Sequence, residues 1–382
     1  MRRPFIIRAV GIVGLGIVCM VGQPVFAQKP LPFKLPSLLR TKSVQTIALS
    51  DQLKKKIVRG SAELWTGKGL VDGVNPLRGG VFCARAEKGM EAFSGGIFET
   101  VYNGQKEIYG FIVTHALTDS PASTEYSLHR FFTLEVTDKQ GVWHRIPAEV
   151  VQVSPVNTLD VSLVRFLPEH EPLLTPLVIS NTMPQVGETV QSQGFCQHTE
   201  GYLPHRRVLE NAPFSLRATL AWPHFRNGFC GGAVVNTNHE LVGVHTGSVP
   251  GPTEQEDIGY ATHAYFLNIL VDAYHNGGEA FIPLILNGHK IVDLAVDEGI
   301  EWVNYYDEWG RKIYGHLFNF KFSFVAVERM IREYTPRYME LSIGRLQWSK
   351  ENPDILERVP HVRRVIYDLK EERIIPEIPS AN

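Results

Sequence analysis

Short apolar runs rich in Val, Ile, Leu and Phe recur along most of the chain, and Gly, Pro and Asn break them. This pattern predicts a β-rich fold of many short strands. Strands are expected near residues 80–84, 96–101, 108–113, 131–136, 142–146 and 161–166. A second set follows near 186–196, 233–235, 241–244 and 258–262, and Arg206-Arg207 between them reads as surface loop. Asn103-Gly104 marks a tight hairpin turn. Residues 266–274 have the pattern of a helix. Beyond them, strands are expected near 281–286, 300–306, 311–318, 338–348 and 362–369, with Asp307 to Gly310 as a turn. Phe324, Val327 and Ile331 fall at helical spacing, which predicts a helix over 324–334.

The first 27 residues follow a different logic. Arg2, Arg3 and Arg8 precede an apolar run from 9 to 22, and Phe26-Ala27 offers a small residue at a cleavage point. That is the layout of a signal peptide, so the mature chain is expected to be periplasmic or secreted. The run is short for a spanning helix. Val18 before Cys19 speaks against a lipid-anchored cysteine. Losing the three arginines takes the formal charge from −2 to −5, which points to no nucleic acid and no anionic membrane as partner. Three cysteines then remain, Cys83, Cys196 and Cys230. An odd number in an exported chain leaves at least one thiol unpaired. Cys83 and Cys196 are either bonded or both free.

One stretch, Asn227-Gly228-Phe229-Cys230-Gly231-Gly232, carries the candidate chemistry. Its glycines permit a tight turn and a close approach to a substrate, and such a turn can aim the amides of Gly228 and Cys230 at a developing oxyanion. The runs 233–235 and 241–244 then form a hairpin that ends at His245-Thr246-Gly247. Upstream, the strand at 108–113 ends in Thr114-His115-Ala116, and Asp160 opens an alternating apolar strand. The order is His115, Asp160, Cys230, with separations of 45 and 70 residues. A base, an acid that orients it and a nucleophile in this order can perform acyl transfer. Cys196 is the other candidate nucleophile, but it lacks the flanking glycines and the following hairpin.

Gly-x-Cys-Gly-Gly followed by Gly-Val-His-Thr-Gly resembles the picornaviral chymotrypsin-like cysteine proteases. The fifteen residues from Cys230 to His245, and the ending Gly-Val-His-Thr-Gly-Ser, also resemble the bacterial glutamyl endopeptidases, which use Ser as nucleophile. The resemblance covers residues 79–275 or so. It implies a chymotrypsin-like double β-barrel over 79–278 (barrels at 79–170 and 175–272). Outside it, 28–78 reads as an N-terminal extension or pro-segment and 279–382 as a small α+β appendage of unknown role, in a mostly β chain. The resemblance implies an endopeptidase with His115, Asp160 and Cys230 as triad, the Gly228 and Cys230 amides as oxyanion hole, and His245, Thr246 and Gly247 in the substrate pocket. In both families a histidine at the His245 position lies in that pocket, which points to cleavage after Gln or Glu. Phe225 departs from both patterns, which place a Thr there; His224 is its polar neighbour. No cofactor and no metal are expected, and the partner is a protein or peptide substrate. Two other readings share the fold: a silent scaffold that binds, and a protease that cuts only itself.

Overall fold

The structure is a computed structural model. It describes residues 81–85, 93–117, 130–138, 142–196, 199–211, 215–221, 230–253, 256–286, 289–318, 323–351 and 356–379, all within one compact unit, Ser43–Asn382. The expected signal peptide and extension lie outside the described residues.

The first barrel contains β1 (Val81–Arg85), β2 (Phe93–Tyr102), β3 (Gln105–Ile112), β4 (Phe131–Thr137), β5 (Trp143–Val153) and β6 (Ser162–Phe166). The turn between β2 and β3 is Asn103-Gly104, at φ 50° and 80°. Positive φ at both positions is what a two-residue hairpin needs to match strand twist. The ladders run β1-β4-β5-β6-β3-β2, and β2 returns to β1, closing the ring. The short β7 (Leu177–Val178) adds parallel to β2.

The second barrel contains β8 (Thr189–Cys196), β9 (Thr199–Asn211), β10 (Ser215–Ala221), β11 (Ala233–Val235), β12 (Leu241–Thr253) and β13 (Glu256–His263). Its closed order, β10-β13-β12-β11-β8-β9, repeats the first ring strand for strand. Val190, Val208, Val234, Val242 and Ala261 pack together in it. Arg206 is not in a loop as the sequence suggested. It pairs with Val190 inside β9 and is 2% exposed, while Arg207 is exposed. Its guanidinium donates to the Ser192 hydroxyl, and burial lowers its pKa to about 9. A cation at an inward position resembles a solvent-facing residue in sequence, which explains the misreading.

Helix α1 (Phe266–His275) follows the second barrel in the chain and packs on β5 and β6 of the first, burying Phe266, Leu267, Leu270, Val271 and Ala273. Then come the ribbon β14 (Phe281–Leu286) and β15 (His289–Ala295) and a five-stranded antiparallel sheet. The sheet is built from β16 (Glu298–Tyr306), β17 (Lys312–Leu317), β18 (Tyr338–Trp348), β19 (Leu356–Asp368) and β20 (Arg373–Ile375), in the order β17-β16-β18-β19-β20. Helix α2 (Ser323–Tyr334) lies between β17 and β18 in the chain. Apolar packing is continuous across these parts. Leu346 and Leu356 join the first-barrel cluster of Ile97, Ile112 and Val164. Ile300, Val303 and Ile343 share a cluster with Leu159, Val161 and Phe266.

Candidate functional site

His115 sits in a single turn of 3-10 helix, Thr114–Leu117, where β3 ends. Its side chain is held from one side by Asp160. Nδ1 lies 2.7 Å from Asp160 Oδ2, and the His115 amide donates to Oδ1 at 2.9 Å. One carboxylate thus fixes both the ring and the backbone of the same histidine. Asp160 is fully buried at φ 55°, a left-handed conformation that Asp tolerates better than most residues. Thr114 steadies the turn from behind: its amide donates to Asp160 O at 3.2 Å, its hydroxyl donates to Ser154 O at 2.7 Å, and it lies 2.9 Å from Ser162 Oγ. Sequence reading missed this polar bracket, although Thr114 and Ser162 each neighbour a predicted site residue.

With Nδ1 on Asp160, Nε2 is the ring nitrogen left for Cys230, whose side chain interacts with the imidazole and favours its charged form. Burial works against a charged imidazole here. The carboxylate of Asp160, its hydrogen bond, and the contact with Cys230 outweigh that penalty and raise His115 to about 10. An imidazole in this setting can accept a proton and hold it.

Cys230 is half-buried and a free thiol. Its turn is wedged between the barrels. Ser94 of β2 donates its amide to Cys230 O at 3.1 Å. Gly231 follows at φ 93°, and a side chain there would collide with the Ser94 carbonyl oxygen. Only glycine satisfies both the dihedral and the close approach. Gly228, the other expected oxyanion donor, lies outside the described residues, as do His224 and Phe225.

His245 is tied to the same turn by two backbone bonds: Gly231 N donates to His245 O at 2.7 Å, and His245 N donates to Gly232 O at 2.8 Å. It is 2% exposed, opposite Ala261 of β13. The ladder slips between His245 and Gly247, leaving Thr246 as the extra residue of a bulge. Bulges re-aim side chains next to sites of this kind. Gly243, two positions before His245, pairs with His263, so both imidazoles lie on one face of the β12–β13 pair. The structure therefore gathers His115, Asp160, Cys230 and His245 around one turn. Among the described residues no cluster of His, Cys, Asp or Glu has the arrangement of a metal site.

Two antiparallel barrels with identical ladder order, and a His–Asp pair with a cysteine turn between them, define the chymotrypsin-like fold. Among solved structures, the chain is similar to the Rv3671c protease from M. tuberculosis. For its active form the identity is 16%, over 66% of this chain and 96% of that one, with TM-score 0.36. For its inactive form the identity is again 16%, over 52% and 89%, with TM-score 0.36. It is also similar to Deg5, at 15% identity over 51% and 88% and TM-score 0.38. No protein-family model matches the chain, and no curated protein is similar to it.

Proposed function

We propose that the chain is a cysteine endopeptidase, exported by residues 1–27 to the periplasm or beyond, with Cys230 as nucleophile. The observation that carries this reading is the His115 imidazole, paired through Nδ1 with Asp160 and interacting with Cys230. In the reaction, His115 takes the Cys230 proton as sulfur attacks the scissile carbonyl. It then returns that proton to the leaving amine as the tetrahedral intermediate collapses to a thioester. Water, deprotonated by the same imidazole, hydrolyses the thioester and frees the thiol. Asp160 keeps the ring in the correct tautomer and stabilises its charged form. The amides of Gly228 and Cys230 receive the oxyanion.

The proposed specificity is for Gln or Glu before the cut. Support comes from the position of His245, buried and bonded through its backbone to Gly231 and Gly232, directly after the nucleophile. A neutral imidazole can donate one hydrogen bond to the Gln carbonyl, and an imidazolium suits the Glu carboxylate.

The test is a peptidyl electrophile carrying Gln or Glu before the reactive carbon, applied to the exported full chain, with the modified residue mapped. Labelling at Cys230 that disappears in His115→Ala supports the reading. Labelling at Cys196, or at no cysteine, overturns it. For specificity, a peptide library cut by the parent after Gln or Glu, and losing that preference in His245→Ala, is expected. A preference for Leu, Arg or Lys that survives the substitution excludes the pocket assignment.

A further inference from the structure

The loop that delivers Asp160 is anchored in the C-terminal sheet, far along the sequence. Residues 154–161 close on themselves: Ser154 N donates to Val161 O at 3.0 Å, and Thr158 N and Asp160 N both donate to Pro155 O, at 2.9 and 3.0 Å. The loop ends in the left-handed Asp160, a conformation that persists only where the surroundings impose it. Part of that imposition comes from β13, whose Thr262 hydroxyl donates to Leu159 O at 2.6 Å. The rest comes from β16. Asn157 Nδ2 donates to Ile300 O at 2.5 Å, and the buried Thr158 hydroxyl donates to Glu298 O at 3.0 Å.

Between those two acceptors stands Gly299. A side chain there would collide with Asn157 Oδ1 and come within 2.7 Å of Thr158 Oγ1. The start of β16 is therefore shaped to receive this loop. It is also rigid. Glu298 is 4% exposed, and its carboxylate binds Arg345 at 3.0 Å, Arg363 at 2.6 Å and the Ala295 amide at 3.0 Å.

We propose that Asn157 and Thr158 are positioning residues through which β16 fixes the Asp160 carboxylate on His115, so that the C-terminal sheet is part of the catalytic apparatus. The proposal rests on the triad reading above. A carboxylate that shifts weakens its hydrogen bond to Nδ1, and the imidazolium then stabilises the Cys230 thiolate less well.

The experiment follows iodoacetamide alkylation of Cys230 in the full chain against pH by mass spectrometry. It is done for the parent, Asp160→Asn, Gly299→Ala, Thr158→Val, Thr158→Ser and the double variant Asn157→Ala/Thr158→Val. The expected result is that Gly299→Ala, Thr158→Val and the double variant move the low-pH limb of alkylation upward. The direction is that of Asp160→Asn and the size smaller. For peptide cleavage, kcat falls about tenfold with KM within about twofold, the pattern of a misplaced group rather than lost binding. Thr158→Ser, which keeps the hydroxyl, retains the parental profile. Should the double variant fail to fold, Thr158→Val, nearly identical in shape, carries the test alone. If Asp160→Asn shifts the profile and the loop and Gly299 variants do not, the support role is wrong and the triad stands. A raised KM with an unmoved profile likewise excludes it. If Asp160→Asn leaves alkylation unchanged, the triad reading fails and this proposal falls with it.

Discussion

At the scale of single residues, the proposed chemistry turns on how His115 is held. Asp160 accepts from both its ring and its amide, so the imidazole has little freedom to turn away from Cys230. Cys230→Ala should abolish peptide cleavage while leaving the melting curve in place, and Cys230→Ser should retain little activity, because the proposed mechanism runs through a thiolate. His115→Ala should cost at least about two orders of magnitude in rate, the usual scale for general acid–base catalysis. Asp160→Asn should cost less, since a thiol ionises near neutrality without much help. Steady-state rates on one peptide rank the variants, and full activity in His115→Ala would move the base to another histidine. The raised pKa of His115, about 10, has a consequence for stability. A histidine whose pKa rises on folding stabilises the fold fully below its unfolded value, near 6.5, and that contribution is lost as pH rises to its folded value. Denaturant titrations at pH 6.5 and pH 10 should therefore show the stability gap between parent and His115→Ala narrowing across this window.

At the scale of elements, the Cys230 turn is a junction. It receives Ser94 from β2 on one side and exchanges two backbone bonds with His245 of β12 on the other. Gly231 makes this possible by its positive φ and missing side chain. Gly231→Ala should destabilise the chain by at least about 2 kcal/mol, combining dihedral strain with a backbone collision. It should also slow Cys230 labelling relative to the parent, with the reagent's reactivity toward a free small thiol as the common reference. Denaturant melts and labelling rates measured together check this, and a variant as stable and reactive as the parent would show that the turn relaxes freely. The β12 bulge at Thr246 has a related role, because it sets the direction of the chain beside His245.

At the scale of the whole molecule, the barrels and the C-terminal sheet share their apolar packing. Leu346 and Leu356 belong to the first-barrel cluster, and Ile300 and Val303 pack in the cluster that holds Leu159 and Val161. The Arg130 guanidinium also lies over the Trp348 ring, 5.1 Å from its centroid. Such packing predicts cooperative unfolding. Hydrogen exchange followed peptide by peptide through a denaturant series should show β3, β12 and β16 losing protection together. Earlier loss in β16, with β3 and β12 still protected, would show two separately stable bodies.

The sequence by itself determined the local elements and the identities of the candidate site residues. Short apolar runs marked β2, β3, β11 and β18, Asn103-Gly104 set its own turn, and the glycines around Cys230 announced a turn, because each of these depends on a few neighbouring residues. His115, Asp160 and Cys230 stood out by order and setting. Tertiary structure alone decided the rest. β9 went unread, since the inward Arg206 breaks the apolar alternation that marks a strand. The bracket of Thr114, Ser154 and Ser162 behind His115, the meeting of Ser94 with the Cys230 turn, and the anchoring of the Asp160 loop on β16 join residues between 40 and 143 positions apart. No local pattern encodes such contacts. They exist because two closed barrels and a packed sheet leave each buried polar group a single set of partners.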